Sequence, residues 1–569
     1  MKRIVIVIAA SIFWLTGIFG SLVNASGSQD DFVKTKLDAM TVEQKVGQIM
    51  IGYFNGPVLS PELADKIQNM HMGGVILYGV TGNIESTRQV VKLTGDIQKT
   101  AVDAGEIPLF ISIDQEGGRV TRITNGMTVF PGNMSLGAAG DAKLASQAAA
   151  VMARELKILG INLNFAPDID VNSNPDNPII GTRSFGSSPA EVARLGIAVI
   201  DAYNEEGIIS TAKHFPGHGD TSVDSHLGLP IVNRSLQQLN TVELAPFRAV
   251  ASKVPVIMTA HIVLPAIDSE HPATLSPKAL EMLREDVGFE GLIITDSLGM
   301  GAIAKNWSLE EAAIQAFLAG ADILLYGADR ESKVEDQVVV YEALVQAVND
   351  GRISSARLDD SVRRILATKR QFGILTEPMP KSELYSELAS PKSLAVAEQV
   401  ALQSITLVKN ENHLLPLAKR QTPIIWPEEM KAALQPLLAE CPSLRPYFIP
   451  LQATKADREA IKKVVAEEKA VLIGSYNLHQ NIAWRQLISS LDFKRAFVLS
   501  VRSPYDIIHI PYTAGYAVSY DDNAVTMKVL GKVLNGQLQP KGRLPVDIPN
   551  MYSRGWGLDL NSAEAEVQK

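Results

Sequence analysis

Three histidines fall within thirteen residues of one segment, KHFPGHGDTSVDSHLGLP (213–230), in a chain that has nine in all. They are His214, His218 and His226, and Lys213, Asp220 and Asp224 stand among them. Three chemistries fit such a group. The imidazoles could ligate a metal ion, although the H-x3-H-x7-H spacing matches no standard ligand pattern. They could be structural fillers of a loop. Or Asp224 could orient His226 and raise its basicity, so that the imidazole moves a proton; this is the Asp–His half of a Ser-His-Asp arrangement. Histidine titrates near ~6.5, so such a pair works near neutrality with little tuning.

The third reading needs a nucleophile from elsewhere. Asp296, in TDSLGMGA, ends the apolar run LIIT and is the candidate; its alternative role is to cap the following segment. An aspartate nucleophile with a separate proton donor is the scheme of a retaining glycosidase, with the Asp–His pair in place of the usual acid/base carboxylate.

Polar residues recur at the ends of apolar runs. Asp114 follows FISI, Asp168 and Asp170 follow NLNFAP, Lys213 and His214 follow ISTA, and His261 follows IMTA. Eight such runs alternate with amphipathic stretches, at 46–53, 73–78, 108–118, 162–171, 208–219, 254–265, 291–301 and 321–329. Continuously apolar strands are buried on both faces, as in a parallel sheet covered by helices. Eight strand–helix units over ~300 residues predict a (β/α)8 TIM-type barrel, whose C-terminal strand ends carry the active site. An α/β chain of two folded domains follows: the barrel over 30–372, a linker over 373–393 with three prolines, and a smaller α/β sandwich over 394–569. Strands of the second domain are expected at 404–410, 423–426, 470–476 and 497–501.

The chain opens with Lys2 and Arg3, then twenty uncharged residues (4–23), then Val23-Asn24-Ala25. This reads as a secretory signal over 1–25, long enough to serve as a retained anchor. A secreted or cell-envelope protein is expected, with no transmembrane segment after the signal. The 569 residues are 46% hydrophobic and 20% charged, an ordinary globular composition. A net charge of −9 argues against a general grip on nucleic acid. Cys441 is the one cysteine, which excludes an intrachain disulfide and a Cys-rich metal site.

KHFPGHGDTSVDSH (213–226), IDQEGGRVTR (113–122), IIGTRSFG (179–186) and ITDSLGMGA (294–302), with LVKNENHLLPL (407–417), RSPYDI (502–507) and GRLPVDIP (542–549), resemble a known family. It is the bacterial β-N-acetylglucosaminidases of glycoside hydrolase family 3, in their two-domain secreted or envelope form. The resemblance implies Asp296 as nucleophile, His226 as acid/base and Asp224 as the residue orienting His226. It implies that Asp114, Arg122, Arg183, Lys213 and His214 hold the terminal sugar. His218 is left a structural role, and Glu116 is expected to steady Arg119 or its loop. The activity implied is removal of terminal non-reducing GlcNAc, on peptidoglycan fragments in wall turnover, by a monomer without metal or cofactor. A β-glucosidase or xylosidase, a phosphorylase, a metal-dependent hydrolase and a non-catalytic sugar-binding protein are the alternatives.

Overall fold

The computed structural model describes residues 31–561 except 331, 418–420 and 467. The expected signal at 1–25 lies outside the described residues. Eight parallel strands form the first sheet: β1 Met50–Tyr53, β2 Gly74–Ile76, β3 Phe110–Ile113, β4 Leu163–Asn164, β5 Ile209–Phe215, β6 Val256–Thr259, β7 Leu292–Ile294 and β8 Leu324–Tyr326. Their spatial order runs β7-β6-β5-β4-β3-β2-β1-β8. A parallel bridge between Ile294 and Ile323 joins β7 to the start of β8 and closes the ring. Each of the eight apolar runs supplies one strand, and every strand residue is buried. The barrel is therefore the TIM-type fold that the alternation predicts.

Helices cover the ring because their apolar residues repeat at helical spacing. In Thr87–Asp103, Val90, Leu93, Ile97 and Ala101 point inward, and the Ser86 hydroxyl caps the start by accepting from Gln89 N. Asp141 caps Ala142–Ile158 in the same way. Burying one such Leu or Val contributes about 1.5–3 kcal/mol, and Ile97→Ala, at a fully buried site, would cost about 2–5 kcal/mol.

The second sheet holds β9 Thr406–Asn410, β10 Thr422–Pro427, β11 Leu444–Ile449, β12 Val471–Ser475, β13 Ala496–Ser500 and β14 Gly515–Val518. Its order is β11-β10-β12-β13-β14-β9, with β9 antiparallel to β14 and the other pairs parallel. Alternate residues enter two cores. Ile425, Ile473 and Val498 lie on one face, and Ile424, Trp426, Leu472 and Phe497 on the other. Two buried faces make the layered α/β arrangement expected. Two of the six strands escape the sequence reading. LRPYFI (β11) is an edge strand with only Leu444 buried, and its Pro446 is tolerated there because an edge has one unpaired side.

The 373–393 segment lies on the barrel: the Tyr385 hydroxyl bonds Thr87 Oγ1 at 2.7 Å, and Ala389 N donates to Glu155 Oε1 at 3.1 Å. The two domains also touch directly. Ser187 N donates to Pro545 O at 3.1 Å, and Arg543 N to Ala138 O at 3.0 Å. Gly186, at φ 154, permits this approach, since a Cβ there would stand 2.4 Å from Pro545 O. Among the described residues no helix is long and apolar enough to cross a membrane.

Candidate active site

The polar residues at the strand ends converge. Asp114 follows β3, Asp168 and Asp170 follow β4, Lys213 and His214 lie near the end of β5, and Asp296 follows β7. A cavity of about 530 Å³ opens at the C-terminal mouth of the barrel, with Asp168 and Asp170 buried behind its wall. Asp114, Arg122, Arg183, Lys213, His214, His226 and Asp296 all line it. So seven of the eight expected site residues share one cavity, and the eighth, Asp224, holds His226.

One wall is a charge network. Lys213 Nζ lies 2.9 Å from Asp114 Oδ1 and 2.7 Å from Glu116 Oε1. Arg183 grips Glu116 through two nitrogens, at 3.0 and 2.8 Å, and Arg122 Nη2 reaches Asp114 Oδ2 at 3.3 Å. The Glu116 side chain is therefore bonded to Arg183 and Lys213, and not to Arg119 or the loop as the sequence suggested, because it turns to where those cations stand. Burial opposes charge on Asp114 and Glu116, but the cations beside them prevail and hold both below the usual carboxylate range. Arg122 Nε is buried without a protein acceptor, a donor left for a ligand oxygen.

His214 is fixed by its neighbours. Arg183 Nη2 donates to Nε2 at 3.3 Å, so Nδ1 carries the proton and donates to Asp170 Oδ2 at 2.8 Å. Burial and the Arg183 charge press the imidazole down to about 4, so it is neutral near pH 7. Burial and the neighbouring Asp170 push Asp168 up to about 7.

The dyad stands on the long loop after β5. Asp224 Oδ1 accepts from His226 N at 2.9 Å and from His226 Nδ1 at 2.8 Å. Nε2 is thereby the nitrogen left for a ligand. The bond to Asp224 raises the pKa of His226 against the opposing effect of burial, and the charges of Asp296 and Asp329 add to the rise. The loop is fastened to the segment after β7: Ala302 N donates to Ser225 O at 3.1 Å, and Lys305 Nζ to Leu227 O at 2.7 Å. His218 is buried beneath it, with Nδ1 2.9 Å from Thr221 Oγ1 and Nε2 3.1 Å from Ser225 Oγ. Both its nitrogens are occupied by hydroxyls, so it buttresses the loop. The three histidines do not gather as a ligand set. Among the described residues the one group close enough to share an ion is Asp168, Asp170 and His214.

Asp296 Oδ1 accepts from Ser297 N at 2.8 Å. Burial works against its charge, but His261, His214 and His226 hold its carboxyl below the ordinary range. The next helix, Gly301–Ala304, has no side-chain cap, so Asp296 is not spent as one. His261 supports the same turn, with Nε2 2.8 Å from Ser297 O and Nδ1 2.8 Å from Thr274 Oγ1.

Two cavity residues went unnoticed in the sequence, Tyr78 and Asp329. They close the apolar runs of β2 and β8, so the rule that found Asp114 would have found them. Asp329 Oδ2 accepts from the Ser297 hydroxyl, which in turn accepts from Gly327 N at 2.7 Å. Burial pushes Asp329 up to about 6.

Comparisons with known proteins agree with this geometry. The family profile "Glycosyl hydrolase family 3 N terminal domain" matches residues 41–368. Beta-hexosaminidase A of Pseudoalteromonas piscicida is 34% identical, across 86% of this chain and 91% of its own. Beta-hexosaminidase LpqI of Mycobacterium tuberculosis is 33% identical, across 53% of this chain and 77% of its own. A solved family 3 β-N-acetylglucosaminidase from Paenibacillus sp. str. FPU-7 superposes with a TM-score of 0.82 at 37% identity, covering 89% of this chain and 99% of that one. With a barrel that carries its polar residues at the strand ends and a profile match over more than half its length, the chain belongs to glycosyl hydrolase family 3.

Proposed function

We propose that the protein is a retaining exo-β-N-acetylglucosaminidase that removes terminal non-reducing GlcNAc from peptidoglycan fragments. The observation that carries this is one cavity holding an ionised Asp296 and a His226 whose Nδ1 is bonded to Asp224. Asp296 attacks the anomeric carbon. His226 Nε2 gives its proton to the leaving oxygen, and a covalent glycosyl-enzyme forms. The neutral His226 then takes a proton from water, which displaces Asp296 and releases the sugar with retained configuration. Asp114, Arg122, Arg183, Lys213 and His214 hold the hydroxyls of the terminal sugar in place beforehand.

Relatives named β-hexosaminidase and a structural neighbour named β-N-acetylglucosaminidase support the sugar. The basic, then apolar, N-terminal segment supports export to the envelope, where wall fragments arise.

The test is turnover of an aryl β-N-acetylglucosaminide beside the matching β-glucoside, with product configuration followed by NMR. Preferred turnover of the first, β-GlcNAc as first product, and near-complete loss in Asp296→Ala are expected. An α product, or full activity in Asp296→Ala, overturns the assignment. Running the same assay with inorganic phosphate separates hydrolysis from phosphorolysis by whether a sugar phosphate appears.

A further inference from the structure

The chain leaving β14 brings Asp521 of the second domain against the barrel, where only 3% of it stays exposed. Its own domain fixes it there. Ser519 N donates to Ser500 O at 2.9 Å, the Ser519 hydroxyl donates to Asp521 O at 2.8 Å, and the Tyr520 hydroxyl bonds Thr406 Oγ1 at 2.9 Å. Asp521 Oδ1 accepts from Asn523 N at 2.7 Å, and Asn523 caps the helix Ala524–Leu534.

The other oxygen, Oδ2, faces the barrel. A Cβ at Gly118 would stand 2.8 Å from it and 2.9 Å from Gly132 N, so three segments meet at a point where only glycine fits. Burial and Asp522 push the pKa of Asp521 up to about 7, against the Asn523 N–H, Arg502 and the Gly132 N–H, which favour its charge.

Both glycines lead into the sugar site. Gly118 lies in the turn between Glu116 and Arg122, where Glu116 N donates to Val120 O at 2.9 Å and the Thr121 hydroxyl to Gly118 O at 3.0 Å. Gly132 precedes Asn133, whose Nδ2 donates to Arg183 O at 2.7 Å. Arg122 and Arg183 are thus carried or held by backbone that Asp521 meets. Asp296 and His226 belong to other segments, the turn after β7 and the loop after β5.

We propose that Asp521 is a positioning residue for the terminal sugar: its carboxylate, held by the second domain, fixes the Gly118 turn and Gly132 and so sets where Arg122 and Arg183 stand. The inference rests on the glycosidase reading of the cavity and gives the second domain a share in binding there.

The experiment compares the full chain with Asp521→Ala, Asp521→Asn and Leu434→Ala. Leu434 is buried in a core of the second domain and serves as the control for general loosening. KM and kcat are measured on an aryl β-N-acetylglucosaminide, and Kd for free GlcNAc by calorimetry. Asp521→Ala should raise KM and Kd together by about tenfold while kcat changes by less than about threefold. Asp521→Asn keeps one acceptor oxygen and should recover part of the loss. Leu434→Ala should lower the urea midpoint and leave KM and Kd in place. Unchanged KM and Kd in Asp521→Ala, or an equal rise in Leu434→Ala, overturn the proposal. Should Asp521→Ala fail to fold, Asp521→Asn decides: weaker GlcNAc binding supports the role, and unchanged binding overturns it. GlcNAc binding is read without turnover, so failure of the glycosidase reading and failure of this proposal show up separately.

Discussion

His226 Nδ1 lies 2.8 Å from Asp224 Oδ1, and the same oxygen accepts the His226 backbone N–H at 2.9 Å. One carboxylate oxygen thus fixes both the ring and the chain that carries it. The bond favours the imidazolium, the form that can protonate a leaving oxygen. Asp224→Asn removes the charge that supports it, so the pKa of His226 falls. The alkaline limb of the kcat/KM profile should move to lower pH, and activity near pH 7 should fall by about 10²-fold. A pH series on an aryl β-N-acetylglucosaminide checks both. A uniform loss with no shift of the limb would mean that Asp224 only shapes the loop.

Asp329 acts on the same chemistry from β8. The groups facing it are Asp296, His226, Tyr78 and the Ser297 hydroxyl. Ionised above about 6, it favours the protonated forms of both Asp296 and His226. Asp329→Asn should therefore move both limbs of the pH profile toward acid. Gly299 keeps this carboxylate in place, because a Cβ there would stand 2.7 Å from Asp329 Oδ2 and 2.2 Å from Ser332 Oγ. Gly299→Ala should displace Asp329 and reproduce the shift. Profiles of lower height but unchanged position would assign Asp329 a structural role only.

Glu116 is the hub of the buried charge network. Replaced by Gln, it would leave Lys213 and Arg183 each short of a counter-charge in a buried site. Breaking such a pair by removing one partner costs about 3–5 kcal/mol. Glu116→Gln should lower the urea midpoint accordingly while Arg119→Met does not. Since the folded protein depresses the Glu116 pKa, its contribution is complete above the ordinary carboxylate range. It is lost as pH falls through the depressed value. The difference between wild type and Glu116→Gln should therefore be widest near neutrality and close in acid.

The barrel was legible because each strand is buried on both faces and so leaves an unbroken apolar run. Asp224 and His226 were legible because they are two residues apart and both belong to one loop. β11 was not, because an edge strand exposed along one side has no such run. The partners of Glu116 were hidden for another reason. Lys213 reaches it from the end of β5 and Arg183 from the loop after β4, and only closure of the ring sets both cations within 3.0 Å of Glu116. Arg502 is the extreme case, since a docked second domain brings it into one narrow cleft with Arg119, and nothing in either local sequence signals the meeting.

Chelation should leave turnover intact. Asp168, Asp170 and His214 form the one potential ligand group among the described residues, and only Asp168 Oδ2 lacks a hydrogen bond there, with a guanidinium standing in front of it. Asp170 accepts from His214 Nδ1 and from the backbone of His218 at 2.6 Å, and Arg183 Nη2 stands 3.5 Å from Asp168 Oδ2. His214 offers Nε2 to Arg183, not to an ion. A cation entering here would have to displace a guanidinium that Glu116 also holds. After dialysis against EDTA, kcat/KM on an aryl β-N-acetylglucosaminide should match the untreated enzyme. A loss restored by one added divalent metal would instead make His214 a ligand and move the proton chemistry away from the Asp224–His226 pair.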